Sequence, residues 1–202
     1  MKVLAQLALK GPGQSIGLIV ALALLGLMLP PVAILSAALA ALICLQADAK
    51  NASLVLVASM ALASVLGGFL AGMPLLGVAM ALVLWAPTAA TAMWLRRSGD
   101  LAQSLLMAAM FGVAVVFALN SAVADFDAAW RSMISEMLAA PETIAGNGVD
   151  LDQLQKNLEQ LGPLLPGLLG MSVMLTVKLA LLLGRWMQSL ILQAGAFGKE
   201  YR

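Results

Sequence analysis

Residues Leu27–Leu35 read LMLPPVAIL, a tandem proline in the middle of an apolar block that runs from Ser15 to about Gln46. As one straight helix those 32 residues would measure roughly 48 Å, well beyond the roughly 30 Å hydrocarbon layer of a bilayer. Pro30 and Pro31 remove two backbone donors and push the preceding residue out of the helical region. The block is therefore either one kinked crossing or a hairpin of two short ones. Each half of a hairpin would hold about 16 residues, near the lower limit for crossing.

The rest of the composition agrees with a membrane setting. Of 202 residues, 62% are hydrophobic and 10% charged, against roughly 25% charged in an average soluble domain. A formal net charge of +1, with the basic residues scattered, disfavours nucleic acid as a partner and leaves the lipid bilayer as the expected one. Histidine is absent, which removes the usual general base near neutral pH and the commonest transition-metal ligand. Cys44 is alone, so neither a disulfide nor a cysteine metal site can form within the chain. No nucleotide-binding loop, Gly-x-Ser-x-Gly elbow or metal spacing occurs, so the sequence predicts no enzyme, no cofactor and no metal. The first residues, MKVLAQLALKGPGQ, lack a cleavage site after a proper apolar core and read as a mature cytoplasmic N-terminus.

Charge placement chooses between kink and hairpin, because cytoplasmic loops are enriched in Lys and Arg. With a hairpin, crossings fall at about 15–30, 31–47, 52–71, 74–95, 102–121 and 164–184. Lys2, Lys10, Lys50, Arg96, Arg97, Arg185, Lys199 and Arg202 then share one side. Five crossings would strand Lys2 and Lys10 on the other. The expected architecture is a single all-α membrane domain over 1–202: a six-helix transmembrane bundle with both termini cytoplasmic and an outer loop over 122–162.

That loop is acidic, with seven carboxylates against Arg131 and Lys156. Val123, Phe126, Trp130, Met133, Ile134, Met137 and Leu138 recur at helical spacing, which predicts an amphipathic helix along the membrane face. Pro141 and the Gly146–Gly148 turn interrupt it. Asp150 and Gln153 then resemble a capping box ahead of a second short helix striped by Leu151, Leu154, Leu158 and Leu161. Such helices either pack over the outer end of a bundle or form a lid.

Small residues recur at intervals of four in Ser64, Gly68 and Gly72, and again in Ala33, Ala37 and Ala41, a spacing that lets helices approach closely and most often serves plain packing. In the fourth crossing Pro87 should bend the helix beside the hydroxyls of Thr88 and Thr91. In the sixth, MLTVKLALLLGRWMQ spans Met174–Gln188 with two cations. Arg185 with Trp186 fits an anchor at the inner interface. Lys178 lies about 10 Å deeper, where a charge facing lipid costs about 2.5–3.5 kcal/mol. It either snorkels to the interface or faces the interior. The candidate ligand set is thus Lys178, Thr88 and Thr91, with Asn120 and Thr176 as lesser polar candidates. An interior lysine without an acidic partner suits an anionic or carbonyl-bearing ligand.

The C-terminal stretch LLLGRWMQSLILQAGAFGKEYR, with the Leu-Pro-Pro hairpin before it, resembles the YybS-like family of uncharacterised bacterial inner-membrane proteins. Members of that family look like the S components of energy-coupling-factor transporters, and their recurring Arg-Trp segment matches Arg185 and Trp186. The resemblance implies a bacterial inner-membrane protein, multi-pass, that either binds a small molecule for uptake or sits in an assembly with other membrane proteins. Of these two, the sequence favours S-component-like binding. The alternative is a structural or assembly subunit that binds no solute.

Overall fold

A computed structural model of the chain describes residues 1–72, 74–122, 126–138 and 151–192. Helices α2 (Pro12–Met28) and α3 (Pro30–Gln46) are separated by Leu29 alone, at φ −130° and ψ 89°. Pro30 and Pro31 begin α3, where a missing N–H costs nothing because the first helical donors have no intrahelical partner. The prolines thus end one helix and start the next. The chain folds back on itself there: a Cβ on Gly26 would lie 2.6 Å from the Ala33 Cβ, and Ser36 Oγ donates to the Ile19 carbonyl at 2.8 Å.

Helix α3 is the axis of its unit. Ala37 to Cys44 are eight successive residues with at most 3% of their surface exposed, so the helix is enclosed on every side. Small side chains make this possible, since helices in lipid associate by close van der Waals approach rather than by apolar burial from water. The Ala33, Ala37 and Ala41 row is used on two sides. Ala33 faces Gly26 of α2, and Ala41 faces Gly184 of α10 (Leu165–Leu192), where an added Cβ would sit 2.8 Å from it. A short α1 (Lys2–Leu9) also packs on α2 and α3 through the buried Ala5 and Ala8. The sequence reading gave this segment no helix, because eight residues are too few to register as a crossing.

Helix α4 (Ala49–Ala71) ends at Gly72, whose φ of 65° forms a left-handed cap. It is followed by α5 (Leu76–Met80), a π turn at Ala81–Trp85 and α6 (Ala86–Ser98). Pro87 is the reason for the wide turn: it lacks the N–H that a regular α-turn would need there. Gly99, at φ 66°, caps α6, and Asp100 opens α7 (Leu101–Ala122) by accepting the Gln103 N–H at 3.2 Å. The series Ser64, Gly68 and Gly72 divides its work: Ser64 abuts Gly77, Gly68 faces Pro74, and Gly72 is the cap.

Contacts divide the chain into two compact units, Met1–Met110 with Val173–Arg202, and Phe111–Ser172. In the second unit α8 (Phe126–Leu138) packs on α9 (Leu151–Leu161) and on the 3-10 turn Gly162–Leu164. Trp130 Nε1 donates to the Leu158 carbonyl at 2.8 Å, and Ile134 is buried. Both helices were legible in the apolar spacing. Met133, placed on the same stripe from sequence, is 59% exposed, because it lies a quarter turn from the Trp130 and Ile134 face. Val123, Pro141, Gly146–Gly148, Asp150, Lys199 and Arg202 lie outside the described residues, and so do the capping box and the side chains of Met137, Leu138 and Leu151. Elsewhere in this unit α7 and α10 meet at Gly170, where a Cβ would be 2.6 Å from the Gly112 carbonyl.

Among the described residues, four helical stretches are long and apolar enough to cross a membrane: Ala49–Phe69, Leu76–Ser98, Leu101–Ser121 and Gln153–Ile191. Helices α2 and α3 are apolar but shorter, 17 residues each or roughly 26 Å. Among the described residues the chain is helical throughout, and its long apolar helices are those of a membrane protein. Helix α10 runs past Arg185 to Leu192, so Arg185 is inside the helix rather than at the end expected near residue 184. The apolar run Leu190–Leu192 keeps the periodicity going, and Gln188 gives the guanidinium a partner on the same helix.

Candidate functional site

The residues singled out from sequence are dispersed. Thr88 and Thr91 are fully buried in α6, with their hydroxyls turned back onto their own helix. Thr88 Oγ1 donates to the Leu84 carbonyl at 2.6 Å, and Thr91 Oγ1 lies 3.0 Å from the Pro87 carbonyl and 2.9 Å from that of Thr88. They satisfy carbonyls around the proline rather than point at a cavity. Asn120 is exposed near the end of α7 in the second unit. Thr176 and Lys178 are half-buried on α10 in the first unit. Lys178 stands at the margin of that helix, between the core-facing Val177, Ala180 and Leu181 and the exposed Leu175 and Leu179. Among the described residues its ammonium makes no hydrogen bond or ion pair.

The structure brings other polar groups together. Trp85, in the π turn, is 1% exposed and donates its Nε1–H to Ser36 Oγ at 3.1 Å. Ser36 in turn donates to the Ile19 carbonyl, so one relay joins α2, α3 and the π turn. Tryptophan in a membrane chain usually marks the lipid interface, and sequence gives no warning that Trp85 is internal. The pairing partner lies 49 residues away.

One end of the first unit gathers five cations. The cleft beside Lys10 is lined by Gly11, Pro12, Ala47 and Asn51, so the start of α2 and the α3–α4 turn meet there. Arg96 Nη1 donates to the Ala47 carbonyl, which fixes the end of α6 at the same level. Arg96 and Arg185 then line a single cleft of about 820 Å³ with Gln188 and Asp100. Lys10, Lys50, Arg96, Arg97 and Arg185 consequently share one end. That is the grouping expected if α2 and α3 run out and back as a hairpin.

The 820 Å³ cleft has a mixed polar and apolar lining. Gln188 is only 8% exposed and accepts from Arg185 Nη1 at 2.5 Å, which steadies the guanidinium. Leu45 and Leu95 supply an apolar wall from α3 and α6, and Leu101 and Leu105 another from α7. Arg96 and Arg185 are 89 positions apart in sequence and were assigned separate roles there, one as topology marker and one as anchor; only the packing of α6 and α10 makes them neighbours. A second opening, about 420 Å³, lies on α4 among Ser64, Val65, Gly68, Phe69 and Pro74 and is almost wholly apolar. Neither these clefts nor the one at Gly11 includes Lys178, Thr88, Thr91, Asn120 or Thr176. No protein-family model, curated protein or solved structure matches the chain.

Proposed function

We propose that the chain is a non-enzymatic, six-span subunit of a bacterial inner membrane, with the segments before α2 and beyond α10 in the cytoplasm, and that it acts by holding other membrane proteins. The observation that carries this reading is the enclosure of α3: the axis of the first unit is filled by Ala37 to Cys44, with at most 3% of each exposed. A polypeptide occupies the place where a solute cavity at the bundle axis would be. The cations collected at one end support the six-span topology, since positive loops face the cytoplasm.

The uptake reading, a subunit resembling S components and binding a small anionic or carbonyl-bearing solute, retains one observation in its favour. Lys178 is half-buried at membrane depth without a side-chain partner among the described residues. Such a charge either snorkels to the interface or is covered by a partner helix or a ligand, because leaving it to lipid costs about 2.5–3.5 kcal/mol. Lys178→Leu separates the two. The substitution is expected to leave insertion and folded yield unchanged while removing whatever covers the ammonium. Quantitative mass spectrometry of the mildly solubilised protein should show a stoichiometric membrane-protein partner that Lys178→Leu loses. A stoichiometric small solute in its place, lost by the same substitution, would overturn the assembly reading. Arg185→Leu is expected to behave differently, keeping the partner, since Arg185 belongs to the cleft seven residues further along α10.

A further inference from the structure

We propose, on the basis of the assembly reading, that the face of α10 around Lys178 docks a membrane-crossing helix of a different protein, and that this helix carries an aspartate or glutamate at the depth of Lys178. Lys178 is half-buried, and among the described residues its ammonium makes no hydrogen bond or ion pair. It lies seven residues before Arg185, about 10 Å along the helix from the cation-bearing end. The Cα–Cβ bond of a helical residue tilts toward the helix N-terminus, and in α10 that direction leads away from the cations. A stem snorkelling to the cytoplasmic interface must therefore turn back on itself, and it then covers only part of the distance. In the opposite direction the chain runs without a charge back to Glu159.

The counter-charge has to come from outside the chain. No carboxylate occurs in α2, α3, α4, Leu76–Ser98, α7 or α10, so a second copy has none to offer at that depth either. A lipid phosphate sits at the wrong level, since head groups lie at the interface and Lys178 about 10 Å below it. The surface beside the lysine has the form of a helix seat. Leu175, Lys178, Leu179 and Leu182 follow the i, i+3, i+4, i+7 spacing of one helical stripe, with Leu175 and Leu179 exposed. Val177, Ala180 and Leu181 face the core from the other side of the helix. Lys178 lines none of the clefts at Gly11, Arg96 and Ser64, and an open outer face suits a helix rather than a solute. Leucines offer a neighbouring helix van der Waals contact without selecting its register, because lipid tails are as apolar as they are. The lysine selects it: one register brings a carboxylate to the ammonium, and the others leave both charges uncovered.

Photo-crosslinking of the full chain in cells tests it, with p-benzoylphenylalanine placed at Leu175 or Leu179 and the captured segment sequenced by mass spectrometry. That segment is expected to cross the membrane and to carry an aspartate or glutamate. Lys178→Met, which keeps the stem and removes the charge, should lower the crosslink yield about tenfold, and Lys178→Arg, which keeps the charge, should retain it. Changing the captured carboxylate to its amide in the partner should lower the yield equally, and it leaves the folding of this chain untouched. A captured membrane segment without a carboxylate, or a yield that neither Lys178→Met nor the amide alters, would overturn the proposal while the assembly reading stands. Crosslinks to lipid alone would overturn both.

Discussion

Trp85→Ala is expected to cost about 3–5 kcal/mol, the range for removing a large aromatic from a packed interior. Trp85 is 1% exposed and fills the space between the π turn and α3. Its loss also strips Ser36 of a donor at the point where α2, α3 and the π turn meet. Two milder substitutions divide the packing term from the hydrogen bond. Ser36→Ala leaves the indole N–H buried without a partner, at about 1–3 kcal/mol. Trp85→Phe removes the donor while Ser36 keeps its bond to Ile19, so the loss should be the smallest of the three. Reversible unfolding in mixed micelles gives the order. A Trp85→Ala variant within about 1 kcal/mol of wild type would show that the indole is not a core element.

Gly77→Val should be comparably severe, for a steric reason. A Cβ at Gly77 would fall inside van der Waals contact of the Met60 carbonyl oxygen and the Ser64 amide nitrogen, both on the backbone of α4. A flexible side chain can move aside, but a helix backbone cannot without separating α4 from α5. Overpacking costs typically about 1–3 kcal/mol, and the upper end or beyond is expected where the obstacle is main chain. Gly17→Ala is the internal comparison. Nothing lies within 4 Å of a Cβ there, so alanine should stabilise α2 by about 0.5–1 kcal/mol through helix propensity. Equal behaviour of the two glycines would contradict the close α4–α5 approach.

What sequence could and could not show follows from the range of each interaction. The hairpin at Pro30 and Pro31 was legible because proline acts on its immediate neighbours, and the structure breaks the helix at Leu29. The apolar period likewise located α8 and α9. The polar features were harder. Thr88 and Thr91 looked like wall residues because hydroxyls beside a proline have two possible targets, and their bonds to Leu84, Pro87 and Thr88 are settled only by the rotamers of α6. The Trp85–Ser36 bond and the Arg96–Arg185 cleft depend on helices 49 and 89 positions apart, a pairing that no local pattern encodes. Composition this rich in Ala and Gly also hides which small residues matter. Gly77 and Gly184 are at contacts, while Gly13 and Gly17 face open space.

The account turns on α2 and α3 crossing out and back, so that the start of α2 and the α6–α7 turn lie on one side. Cysteine accessibility measures this directly. With the buried Cys44 replaced by alanine, single reporters at Gln14→Cys, Ser98→Cys and Asn147→Cys are exposed to an impermeant thiol reagent in intact and in permeabilised cells. Asn147→Cys is expected to label in intact cells, and Gln14→Cys and Ser98→Cys only after permeabilisation. Labelling of Gln14→Cys in intact cells, with Ser98→Cys still protected, would put an odd number of crossings between them and contradict the hairpin.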